Sequence, residues 1–162
     1  ETSLFYARLL PSHEPCFVER ALNTMEKALG GVYEFQSVFP VILTDRGVEF
    51  GKPNDLETDP DGVIRTSIYY CDPMRSGQKG GIEETHTLLR MVIPKGTVFT
   101  GLSQWDIRRI VNHINSYPRK NLAGATPYEL AAKKYGSEIL GALQIKLIPP
   151  DDVTLSPDLL KK

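Results

Sequence analysis

A chain of 162 residues, 41% hydrophobic and 24% charged, is long enough to bury a core of its own and is neither a disordered nor a fibrous sequence. Its formal net charge of −1 excludes a uniformly basic nucleic-acid binder, and no apolar run approaches the ~20 residues that span a bilayer. Cys16 and Cys71 stand far apart without a Cys-x-x-Cys or a histidine partner, and the opening residues lack a basic-then-apolar leader. These features argue against a disulfide framework or zinc site and point to a reduced, cytoplasmic setting.

Leu4–Leu10 is short, apolar and ended by Pro11, which predicts a strand. Pro15 suits a first helical turn, and Phe17, Ala21, Leu22, Met25, Ala28 and Leu29 recur at helical steps until Gly30-Gly31. Pro40–Thr44 is a compact β-rich run, expected as a strand buried on both faces, that ends at the turn signal Asp45-Arg46-Gly47. Residues 51–62 read as a polar loop, and Ile64–Tyr70 as another strand closing at Asp72-Pro73.

From Lys79 the period turns helical, with Ile82, Leu88, Leu89 and Val92 as the apolar stripe and Pro94-Lys95-Gly96 as the stop. Ser103 and Asp106 form a capping-box variant ahead of a helix whose buried face is Ile107, Ile110, Val111 and Ile114. Thr126-Pro127-Tyr128-Glu129 opens a further helix ended by Gly136, and the proline-containing tail is expected to lie extended on the surface. Strands alternating with helices early and helices dominating late predict an α/β fold.

The neutral average conceals a segregation of charge. Residues 1–73 hold six Lys/Arg against twelve Asp/Glu, whereas residues 74–120 hold eight against three. A local surplus of this kind can make a phosphate-binding face, although a solvated helix face produces the same bias. Among the acids, Asp45 directly follows a predicted strand, and strand carboxyl ends are where open α/β sheets bind ligands. Glu83 opens a helix 38 residues later. Two such carboxylates suit Mg²⁺, which is bound by few protein groups and keeps positions for water and phosphate. By itself the pair is a weak signal, because surface carboxylates are common.

The surrounding residues make it specific. Ile42-Leu43-Thr44-Asp45-Arg46-Gly47-Val48-Glu49-Phe50 resembles the second-aspartate segment of bacterial insertion-sequence transposases of the DDE, integrase-like class. Tyr70-Cys71-Asp72-Pro73-Met74 and Gln78-Lys79-Gly80-Gly81-Ile82-Glu83 resemble the strand, loop and helix start that carry the last glutamate of that family. Leu88-Leu89-Arg90, Pro94-Lys95-Gly96-Thr97, His113–Lys120 and Thr126–Leu130 follow in family order, so the likeness runs from about residue 40 to 130.

This resemblance implies a ribonuclease H-like mixed sheet flanked by helices. It divides the chain into a catalytic core over residues 1–135 and an extension over 136–162. It implies metal-dependent DNA strand cleavage and strand transfer, with Asp45 and Glu83 as catalytic, Mg²⁺- or Mn²⁺-binding acids. Arg90 lies seven residues after Glu83, two helical turns or about 10 Å along the axis, on the same face. Arg90, Lys79, Lys95, Arg119 and Lys120 are the expected DNA contacts. The implied partners are transposon ends and target DNA, in a homo-oligomer such as a dimer, near the bacterial nucleoid and away from membranes.

The family pattern requires three acids, and no aspartate precedes Asp45. The chain is therefore expected to lack the first strand and to be inactive by itself. Arg46, Val48, Gly77 and Glu84 also depart from the pattern, Glu84 by placing a second negative charge beside Glu83. Other assignments are a surface-acid partner for Arg90, a solvated helix side for Arg108 and Arg109, and surface or core positions for His86 and His113. Asp72 is expected in a turn, Glu49 in solvent or a cap, and Trp105 in packing and not as a base-stacking platform. Two further functional readings stay open: a non-catalytic DNA-binding or oligomerisation module, and a ribonuclease H-like nuclease that never joins strands.

Overall fold

The computed structural model describes residues 2–71 and 82–161, which form two compact units: residues 10–71, and residues 82–161 with the segment 2–9. The architecture is helix-rich with a small sheet, in keeping with an α/β class.

In the unit of residues 10–71, helix α1 (Pro15–Leu29) starts on Pro15 and stops where Gly30 adopts φ 111°, a left-handed conformation that costs glycine little. Helix α2 (Val32–Val38) follows at once and buries Phe35 completely. Strand β1 (Val41–Thr44) pairs in parallel with β2 (Ser67–Tyr70), in the register Val41↔Ser67 to Thr44↔Tyr70. The segment expected as a polar loop contains a short helix, α3 (Pro53–Glu57), which buries Leu56. Glu57 closes the flank of β2. Its carbonyl accepts from Arg65 N–H at 2.8 Å, and its carboxylate accepts from Ile68 N–H at 2.7 Å.

The largest fully buried side chain here is Arg65. Its Nε donates to Leu56 O at 2.9 Å, Nη2 donates to Asp55 O at 3.3 Å, and Nη1 reaches Glu26 at 3.2 Å and the side-chain oxygen of Asn23. Its guanidinium also lies 5.8 Å from the Phe35 ring centroid. One cation thus ties α1, α2 and α3 to the chain entering β2. Burying it is tolerable because nearly every donor is matched.

Two strand expectations are corrected. β1 is not buried on both faces: Val41 is 55% and Leu43 44% exposed, and Tyr69 beside Leu43 in the register is 58% exposed. Among the described residues no element of the unit covers that face. Leu4–Leu10 is not a strand. Its backbone is satisfied by side chains: Phe5 N–H donates to Asn115 Oδ1 (2.8 Å), Asn115 Nδ2 donates to Phe5 O (2.7 Å), and Leu9 N–H donates to Gln104 Oε1 (3.0 Å). An apolar run reveals β tendency but not whether a neighbouring strand is there to pair with it.

The second unit is built on helices α4 (Ile82–Val92), α5 (Gln104–Asn115), α6 (Pro127–Tyr135) and α7 (Ser137–Ala142). Both capping boxes form as the sequence predicts: Ser103 with Asp106, and Thr126 with Glu129, each bonding in both directions. Ile107, Ile110, Val111 and Ile114 make the buried face of α5, and Leu88 and Val92 that of α4. The tail is more anchored than an extended drape. Leu140, Leu143, Ile145 and Leu159 are buried, while Lys146, Ile148 and Thr154 donate backbone N–H groups to Asn112, Ser116 and His113.

Candidate functional site

Asp45 is the first residue beyond β1, at the carboxyl end of the parallel pair, and is exposed. One of its carboxylate oxygens accepts from Gly47 N–H at 3.1 Å, the tight Asx-turn geometry expected of an aspartate ending a strand. Glu49 sits in the following 3₁₀ turn with its carboxylate packed over Gly47, where an added Cβ would come within 2.5 Å of Oε2. A second acid, half-exposed, therefore stands in the same turn. An open pocket of about 310 Å³ lies here, lined by Arg46, Gly47, Phe50, Gly51 and Tyr70. The Tyr70 hydroxyl donates to Phe50 O at 2.6 Å and fixes that wall.

Glu83 is exposed in the first turn of α4. A helix N-terminus favours a carboxylate electrostatically and leaves N–H groups without intrahelical partners. Arg90, two turns on, is exposed, as are Lys95 and Lys120. Asp45 and Glu83 belong to different units. Lys79 and Asp72 lie outside the described residues. Among the described residues no group of three or more His, Cys, Asp or Glu side chains is placed to hold a metal ion. Asp45 and Glu83 are each a solvent-reaching oxygen donor of the kind taken by a hard cation that retains water. His86 is exposed, and His113 accepts the Thr154 N–H at Nδ1.

Arg119 departs from its expected role as a DNA contact. It is 1% exposed, with Nη1 donating to Thr85 Oγ1 at 2.9 Å and standing 3.7 Å from the Glu84 carboxylate. Burial draws its pKa below the ordinary arginine range, and Glu84 opposes that shift. Among the described residues Nε and Nη2 find no hydrogen-bond partner. A guanidinium enclosed this way braces α4 against the 117–126 turn and cannot reach a phosphate. The same contact accounts for Glu84, whose negative charge beside Glu83 is met by Arg119.

Two features escaped the sequence reading. The buried Arg65 cluster depends on partners up to 42 residues away, so no local pattern announces it. Trp105 is 58% exposed, not packed, and the Arg109 guanidinium lies 4.6 Å from its ring centroid. The helical spacing of Trp105 and Arg109, four residues apart, was the available clue.

Comparison with known proteins gives a consistent set of relatives. The chain is 30% identical over 111 residues to the transposase of insertion sequence element IS4351 from Bacteroides fragilis, covering 68% of this chain and 33% of that protein. It is 38% identical over 89 residues to the IS1086 transposase of Cupriavidus metallidurans (55% and 25%). It is 34% identical over 86 residues to the transposase InsI of IS30A from Escherichia coli (53% and 21%). The chain thus spans a third or less of the length of these curated relatives. No family model matches it, and no solved structure gives a significant match.

Proposed function

From its kinship with insertion-sequence transposases, we propose that the chain forms part of a DNA transposase core of the DDE type, on a ribonuclease H-like framework. The observation that carries this reading is the position of Asp45, directly beyond the first of two parallel strands, in a chain whose relatives are transposases. Asp45 and Glu83 are the acids that hold Mg²⁺ or Mn²⁺. When bound, the ion supplies charge stabilisation at the attacking and leaving oxygens of an in-line phosphoryl transfer.

The chain's own residues do the positioning. Arg90 shares the helix face of Glu83 and holds a phosphate oxygen near the acids, while Lys95, Lys120 and Lys79 fix the DNA backbone. Arg119 is removed from that set, because its guanidinium is engaged with Thr85 and Glu84. The reaction is hydrolysis of a phosphodiester at an element end, followed by attack of the freed 3′-hydroxyl on target DNA. The working form is a homo-oligomer acting at the nucleoid. Residues 1–135 belong to the core and 136–162 to an extension anchored on α5. Among the described residues no helix is long and apolar enough to cross a membrane.

Within these 162 residues the resemblance supplies two of three required acids, so the chain alone binds DNA and cleaves it negligibly. The test measures duplex binding against salt, and Mg²⁺-dependent cleavage and joining of an element-end duplex. Binding that weakens steeply with salt and is reduced in Arg90→Ala, without turnover by the chain alone, is expected. Efficient joining by residues 1–162, or duplex binding indifferent to salt, contradicts the reading. Cleavage that never leads to joining assigns the chain to a nuclease instead.

A further inference from the structure

Helix α5 turns its apolar residues and its one carboxylate inward: Ile107, Ile110, Val111 and Ile114 are buried, and Asp106 is 2% exposed within the capping box. Its exposed side chains are an indole and a guanidinium. Trp105 stands 58% exposed, Arg108 is exposed one turn later, and Arg109 lies 4.6 Å from the indole centroid. The Leu9–Gln104 hydrogen bond (3.0 Å) brings the segment carrying the exposed Arg8 to the start of the same helix.

A rigid indole 58% exposed offers a π-face on which a planar partner can stack. Arg109 steadies its orientation by a cation–π contact, and the residue stays 58% exposed. An aromatic plane flanked by guanidiniums, with no outward acid on the helix, suits a ligand that offers a flat π-face and a phosphate together. That ligand is a nucleotide whose base is not already stacked in a duplex.

Resting on the DNA reading above, we propose that the outer face of α5 binds unpaired DNA, with a base stacked on Trp105 and its flanking phosphates held by Arg108 and Arg109. The site is distinct from the acids and assigns to the protein a preference for a frayed or single-stranded segment of its substrate.

Trp105 is the sole tryptophan of the chain, so its emission reports on this site alone. The unmodified chain is titrated with an oligothymidylate and with a hairpin duplex of equal phosphate number at the same salt, following indole emission and, separately, the anisotropy of labelled DNA. The single strand is expected to quench the emission and the duplex to leave it nearly unchanged. Trp105→Ala weakens single-strand affinity about tenfold with little effect on the duplex. Trp105→Phe, which keeps an aromatic ring, recovers part of the loss. Duplex and single strand both bound with unaltered emission overturns this proposal and leaves the DNA reading standing. No binding of either DNA overturns both, and equal losses for the two DNAs in Trp105→Ala reduce the indole to a packing role.

Discussion

The two units reach order by different means. Residues 10–71 rest on a buried cation, Arg65, and on a two-stranded parallel sheet with an outward apolar face. The helical unit rests on an aliphatic face of α5 and two complete capping boxes. Parallel strands normally lie buried on both faces, and two strands alone are a marginal sheet. The first unit therefore leans on one buried cation with partners on three helices, whereas the second spreads its order over local caps, an aliphatic helix face and several separate long-range bonds.

Breaking each in turn separates them. Arg65→Ala removes the cation and leaves Glu26 and Asn23 facing a cavity, so it is expected to cost about 3–5 kcal/mol. Amide exchange should quicken throughout residues 10–71, and protection confined to its ordinary pattern there would contradict the role assigned to Arg65. Ile114→Ala deletes a fully buried side chain from the helical unit and is expected to cost about 2–4 kcal/mol in urea denaturation. Thr126→Ala removes one cap and is expected to cost about 1 kcal/mol, fraying the first turn of α6 without loosening α5.

The smallest effect is a pH dependence. Burial holds the His113 pKa below its ordinary 6.5, with Arg109 acting in the same sense and Asp152 opposing. The unfolded chain is then protonated first on acidification, so this contribution is complete above pH 6.5 and declines as pH falls toward the folded value. Protonation at Nδ1 also removes the acceptor for Thr154 N–H. Protection of the Thr154 amide, taken relative to its intrinsic exchange rate, should fall on acidification in the parent chain and show no such step in His113→Ala. Glu129, lowered by its bonds to Thr126, acts in the same direction but only below about 4.5.

The contrast between the units is also a contrast in legibility. Capping boxes, the Gly136 stop and the α5 stripe are written within a few residues, so they could be read directly and are found in place. Pairing is nonlocal. The sequence showed that Leu4–Leu10 and Pro40–Thr44 favour extended backbone, but not that Asn115 would bond the first or that one face of the second would be bare. Short α2 and α3 went unseen because each is less than a full amphipathic window. At the candidate site, motif order singled out Asp45 and Glu83 as candidates, whereas the inward turn of Arg119 depends on Thr85 and Glu84, 34 and 35 residues earlier, and is invisible to spacing.

Joint metal binding by Asp45 and Glu83 is the claim on which the functional account stands. Titrating isotope-labelled chain with Mn²⁺ and following paramagnetic broadening of backbone amides addresses it directly. Amides around both residues should broaden together with one affinity, and Asp45→Asn or Glu83→Gln should weaken both sets at once. Broadening at only one of them, or at each with its own affinity and no response to the other's replacement, would contradict a shared cation.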